Sequence, residues 1–261
     1  MLGKLLKYEL KATSRTFMPL YGALLLVALI NNLLSKISFN FGSTLTLMLL
    51  IGLFVALGIA TLVLLIQRFN KSLLNDEGYL MFTLPVKPYE LILSKLLVTV
   101  FWSAISGLVG ILTFMLLFIG LDFSFFKEMF TVLFTEMDVV MQSFSEAMEN
   151  ESFRQGLTIM ISTCFIGLLS YIGSILDIYL SLSIAQLPAF SKHRGVTSFA
   201  AFFVINFILQ IILAFVFGGF VGSVELSVNM MLGIVFAITI AIDLILFFAA
   251  NYILSKHLNL E

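Results

Sequence analysis

The chain has 261 residues, 61% of them hydrophobic and only 11% charged. With a mean hydropathy of +1.12 it carries more apolar surface than a water-facing fold can bury, which excludes a soluble domain. The net charge of -1 hides a segregation of basic from acidic residues along the chain, and that segregation gives the sequence a direction.

In the opening turns, helical spacing puts Lys4, Lys7 and Lys11 on one face and Leu2, Leu5, Leu6 and Leu10 on the other, with Glu9 interrupting the apolar side. This pattern predicts an interfacial helix over residues 1–16, an elbow whose lysines meet anionic headgroups while its leucines enter the acyl boundary. The alternative is a plain orientation signal. Basic residues before an apolar run also resemble a signal peptide. No small-residue cleavage site follows, so the run is read as a retained first span.

Crossing the hydrocarbon core takes roughly 20 apolar residues per helix. Six segments meet that length: Phe17 to Leu34, Leu45 to Ile66, Leu96 to Leu121, Leu157 to Ala185, Phe199 to Val221 and Val228 to Leu254. Strand alternation is absent, so the predicted class is all-α, a single polytopic membrane domain over 1–261. Lys4, Lys7, Lys11 and Arg15 precede the first span; Arg68, Lys71, Lys87 and Lys95 lie between the second and third; Lys192, Arg194 and Lys256 flank the later ones. Only Lys36, Lys127 and Arg154 lie on the opposite side. The excess of Lys and Arg marks the cytoplasmic side, so an even number of spans with both termini in the cytoplasm is expected, in the plasma membrane.

The segment 67–95 between the second and third spans is too polar to cross and too apolar for a linker. Asn75 or Asp76 can cap a short helix, Glu77 suits its positive first turn, and Pro85 ends it. Pro88 then suits the first turn of the third span. The expected product is a short cytoplasmic helix, Glu77 to Leu84, displaying Tyr79, Leu80, Met81 and Phe82 for a partner surface or for lipid.

Segment 122–156 collects Asp122, Glu128, Glu136, Asp138, Glu146, Glu149 and Glu151, the acidic counterpart of the basic face. Its apolar residues Phe126, Phe130, Leu133, Met137, Val140, Phe144 and Ala147 recur by fours and threes, predicting an extracytoplasmic amphipathic helix. Lipid contact is the plainer use for it; covering an exit or meeting a second permease are the others.

Within the apolar spans, Asp177 and Asp243 are the deepest charges, and Asn206 and Gln210 fall at similar depth. An ionised carboxylate there costs at least about 2.5 to 3.5 kcal/mol, so these residues are expected to face protein rather than lipid and to form an intramembrane polar cluster. That cluster is either a structural hydrogen-bond network with protonated carboxyls or the lining of a path. Gly218 and Gly222 form a G-x-x-x-G that allows close helix approach or occurs by chance.

Chemistry-bearing motifs are missing. No G-x-x-x-x-G-K-[ST], H-E-x-x-H or G-x-S-x-G is present, and no adjacent glutamate pair of the prenyl-protein endopeptidase type. His193 and His257 sit at expected cytoplasmic span ends as solvated tips. Cys164, the sole cysteine, is expected to pack in a core and excludes an intramolecular disulfide or a cysteine metal cluster. No catalytic, cofactor or metal residue is expected, and no nucleic-acid partner.

Three stretches resemble the permease subunits of ABC-2 type transporters, especially the small six-span subunits of bacterial exporters. They are the start Leu-Leu-Lys-Tyr-Glu-Leu-Lys, the segment Asn75-Asp-Glu-Gly-Tyr-Leu-Met-Phe-Thr-Leu-Pro85, and Glu90-Leu-Ile-Leu-Ser-Lys95. The resemblance implies that the middle stretch is a coupling helix seated in a groove of a separate ATPase subunit, with Asn75, Asp76, Glu77, Gly78, Tyr79, Leu80, Phe82 and Pro85 as contacts. It implies ATP on that partner and none on this chain, a second permease copy or paralogue, the lipid bilayer as surroundings, and export of an apolar or amphipathic cargo, peptide or lipid-like. Two other classes stand beside it. A substrate-capturing component of an uptake transporter would bind a small ligand tightly in isolation, and an integral-membrane enzyme would turn over without ATP.

Overall fold

The computed structural model describes residues 2–37, 40–70, 87–118, 123–187, 190, 193–221 and 227–256. These are helical, with no strand among them: α1 Leu2–Lys36, α2 Asn40–Phe69, α3 Pro88–Phe118, α4 Phe123–Thr135, α5 Met137–Glu149, α6 Glu151–Ile184, α7 Arg194–Val221 and α8 Val228–Lys256. Six of them, α1, α2, α3, α6, α7 and α8, are long and apolar enough to cross a membrane. Their surface agrees with their composition. No residue in the apolar window of α7 is buried, and Phe199, Phe203, Phe207 and Phe215 stand exposed along it. A helix that leaves so wide an apolar face uncovered by protein has, on that face, the surface of a lipid-facing span.

Helix ends follow local chemistry. α3 starts at Pro88, whose missing N–H costs nothing in a first turn, and Glu90 donates its N–H to the Lys87 carbonyl at 2.9 Å. Asn150 separates α5 from α6 in an extended conformation, and its Oδ1 accepts the Ser152 N–H at 3.0 Å, capping a helix that Glu151 opens with a favourable charge.

Two expectations change. Residues 2–36 form one helix, so the basic and leucine-rich turns are the first turns of α1 itself. Nothing between Lys11 and Phe17 breaks a helix, and the helix continues through Pro19 although the ring crowds the Arg15 carbonyl and its nitrogen cannot donate to it. Within those turns Leu5, Leu6 and Leu10 are half-buried while Lys7 and Lys11 are exposed. In the acidic segment there are two helices where one amphipathic helix is expected; the break falls at Glu136, whose backbone (φ -111°, ψ 18°) leaves helical geometry.

The described chain forms two compact units. In the unit of residues 7–64 and 98–155, α1 buries Phe17, Tyr21, Leu24, Ala28 and Asn31, a stripe spaced by fours and threes, and α3 buries Val98, Trp102, Val109 and Thr113. Phe17 stacks on Trp102 with ring centroids 5.0 Å apart, the Trp102 indole N–H donates to Thr13 Oγ1 at 2.6 Å, and Tyr21 Oη shares a 2.8 Å hydrogen bond with Ser106 Oγ. Asn31 ties α1 to α2 by donating to the Ser43 carbonyl at 2.7 Å and to Thr46 Oγ1. Polar groups thus find partners inside an apolar packing seam, as burial requires.

The unit of residues 1–6, 65–97 and 156–261 is held by the last turns of α2, the start of α3, and α6 to α8. Phe69 stacks on Tyr179 at 4.1 Å and an interplanar angle of 12°. Ile175, Leu176, Tyr179 and Leu180 of α6 are buried, as are Leu246, Ala250 and Leu254 of α8. Lys95 is buried here and engaged, rather than directed at headgroups like a flanking lysine.

A candidate intramembrane polar site

Three helices of the second unit each turn one four-residue stripe toward a common cavity of about 230 Å³. α6 supplies Ser170, Gly173, Ser174 and Asp177. From α7 come Asn206, Leu209, Gln210 and Leu213, and from α8 Thr239, Ile242, Asp243 and Leu246. Each stripe runs i, i+3, i+4, i+7, the spacing that keeps residues on one helical face. The four polar residues singled out in the sequence, Asp177, Asn206, Gln210 and Asp243, are therefore brought together at one place.

Both carboxyls are inside protein, Asp177 3% exposed and Asp243 9%. Asp177 Oδ2 accepts a short 2.5 Å hydrogen bond from Asn206 Nδ2, which also donates to the Phe202 carbonyl at 3.0 Å. Asp177 Oδ1 and Asp243 Oδ2 are buried with no hydrogen-bond partner. The other Asp243 oxygen lies against Gly173: a Cβ there would stand 2.5 Å from Oδ1, inside any real contact distance. The absent side chain at Gly173 is what admits the Asp243 carboxyl between α6 and α8.

Two of the lining hydroxyls are already committed as donors. Ser174 Oγ donates to the Tyr171 carbonyl at 2.7 Å, and Thr239 Oγ1 to the Val235 carbonyl at 2.8 Å. Such back-bonding leaves only oxygen lone pairs for any other contact. Ser170, Gly173, Ser174 and Thr239 escape notice in the sequence, because small residues and hydroxyls recur along α6 and α8. Their register against Asp177 and Asp243 is the signal that marks them.

The remaining expected positions divide between described and undescribed residues. Asn75, Asp76, Glu77, Gly78, Tyr79, Leu80, Phe82 and Pro85, with the predicted Glu77 to Leu84 helix, lie outside the described residues, as do Gly222 and His257. A Cβ on Gly218 would meet nothing within 4 Å, so this glycine mediates no close helix contact among the described residues. Cys164 is exposed, not packed in a core: a thiol is apolar enough to face lipid, and α6 presents that position outward. His193 is exposed. No group of three or more His, Cys, Asp or Glu side chains is placed to hold a metal ion among the described residues.

In comparisons with known proteins, no family model, no curated protein and no solved structure matches the chain, so its function is read from its sequence and this geometry.

Proposed function

We propose that the chain is the membrane-spanning permease subunit of an ATP-binding cassette exporter of the ABC-2 type, working in the plasma membrane with both termini in the cytoplasm. The observation that carries the reading is the stretch Asn75 to Pro85, with its capping residues, acidic first turn and cluster of Tyr79, Leu80 and Phe82 between two spans. Six long apolar helices fit the six-span subunits of that family, and the exposed apolar surface of α7 fits a helix bordered by lipid or by a second permease.

In this reading a separate ATPase subunit grips the Glu77 segment, binds ATP that this chain has no P-loop to hold, and transmits its closure to the helices. The chain performs no catalysis, carries no cofactor of its own, and moves an apolar or amphipathic cargo. The test is co-purification of the tagged chain with an ATP-binding cassette ATPase subunit from the cells that make it. Glu77→Lys and Tyr79→Ala are expected to lower recovery of that ATPase at least tenfold while leaving the chain in the membrane. Full recovery with both variants, or turnover of a substrate by the chain without ATP, overturns the assignment.

A further inference from the structure

The polar groups that line the cavity between α6, α7 and α8 present mostly hydrogen-bond acceptors. Asp177 Oδ1 and Asp243 Oδ2 are buried without partners. Asn206 spends both amide protons, on Asp177 and on the Phe202 carbonyl, which leaves its Oδ1 as an acceptor. Ser174 and Thr239 spend their hydroxyl protons on their own helices. Among the described residues that line the cavity, Ser170 and Gln210 alone have donors not committed elsewhere, and no Lys, Arg or His stands there to balance two carboxyls. Buried acceptors without donors are costly, and two buried acids without a counter-charge more so.

From this arrangement we propose that the cavity binds a hard inorganic cation through Asp177, Asp243 and the oxygens of Asn206, Ser174 and Thr239. Carboxylate, amide carbonyl and hydroxyl oxygens are the ligands such ions prefer, and the described residues of the lining include no His or Cys that would select a transition metal. A volume of about 230 Å³ admits an ion with several of its waters. A divalent ion matches the charge of two carboxylates best. The site draws its lining from three helices, so its occupancy fixes their mutual register. The inference stands on this cavity and does not depend on coupling to an ATPase.

The experiment uses the purified full chain in nanodiscs of neutral lipid, with thermal unfolding followed by Trp102 fluorescence. Calcium, magnesium and sodium chlorides are titrated against N-methylglucamine chloride at constant ionic strength. At least one inorganic cation is expected to raise the unfolding midpoint saturably, the divalent ions at lower concentration than sodium. Asp177→Asn and Asp243→Asn are each expected to weaken the apparent affinity at least tenfold, while Cys164→Ser leaves it unchanged. Should either Asn variant aggregate, Thr239→Val removes one neutral oxygen and is expected to weaken affinity severalfold. A midpoint indifferent to every cation, or an equal shift in wild type and the cavity variants, overturns the proposal. So do infrared spectra showing both carboxyls protonated at neutral pH whether or not cation is added, because the acids then satisfy each other with protons alone.

Discussion

Trp102 shows how one side chain can close a seam between two helices. Its ring stacks on Phe17 and its N–H is taken by Thr13, so packing and polarity are satisfied together. Trp102→Phe keeps an aromatic ring and loses the donated hydrogen bond, and should lower stability by about 1 kcal/mol. Trp102→Ala removes the ring and should cost about 3 to 5 kcal/mol. Denaturant unfolding in mild detergent, followed by circular dichroism, checks both; equal effects would mean that the indole N–H rather than the ring carries the contact. At Gly173 the relation is reversed, since the absence of a side chain makes room for Asp243. Gly173→Ala should turn the Asp243 carboxyl out of its place and destabilise by about 1 kcal/mol, the low end for overpacking, because the atom it meets is the tip of a side chain. Most of that loss should vanish when the same substitution is made in an Asp243→Ala background, and a loss that persists there would remove the carboxyl as its cause.

At the scale of the helix, termini carry the testable chemistry. Asn150 caps α6 through a single side-chain bond to Ser152, so Asn150→Ala should cost about 1 kcal/mol, seen first as faster amide exchange over residues 151–154 with the helix interior unaffected. Helix existence was legible in the sequence because runs of apolar residues this long admit no other element. Their ends were less so. α3 begins at Pro88 and α6 at Glu151, well before the apolar runs at Leu96 and Leu157, because backbone hydrogen bonding continues into polar turns that hydropathy does not register. The bend at Glu136 was illegible: no Gly or Pro marks it, and the periodic apolar pattern passes through it. Within the site, Asp177, Asn206, Gln210 and Asp243 were legible as polar groups in apolar runs. Gly173 was not, because its role is to be small opposite a residue 70 positions away, a relation that exists only once α6 and α8 are packed.

For the whole molecule, six helices long and apolar enough to cross a membrane and the uneven distribution of Lys and Arg make orientation a direct experiment. With Cys164 replaced by Ser, the chain has no cysteine, and single cysteines then report sidedness. Ser143→Cys on α5 should be modified by a membrane-impermeant thiol reagent in intact cells, and His193→Cys just before α7 only after permeabilisation. The opposite pattern would place the acidic helices inside and reverse the topology. If the proposed assignment holds, assembly with a second permease shows as a mass for the detergent-solubilised complex that exceeds one chain plus one ATPase subunit.

The unbroken course of α1 has a mechanical consequence. At 1.5 Å per residue its 35 residues measure about 52 Å, against a hydrocarbon core of about 30 Å. Such a helix is a rod that must project from the bilayer or lean within it. Pro19, where one backbone bond is absent, is its natural fulcrum. A tilt of about ten degrees there swings the backbone at Lys4 through about 4 Å, so a small rotation of the upper span arrives at the headgroup layer as a displacement the size of a side chain.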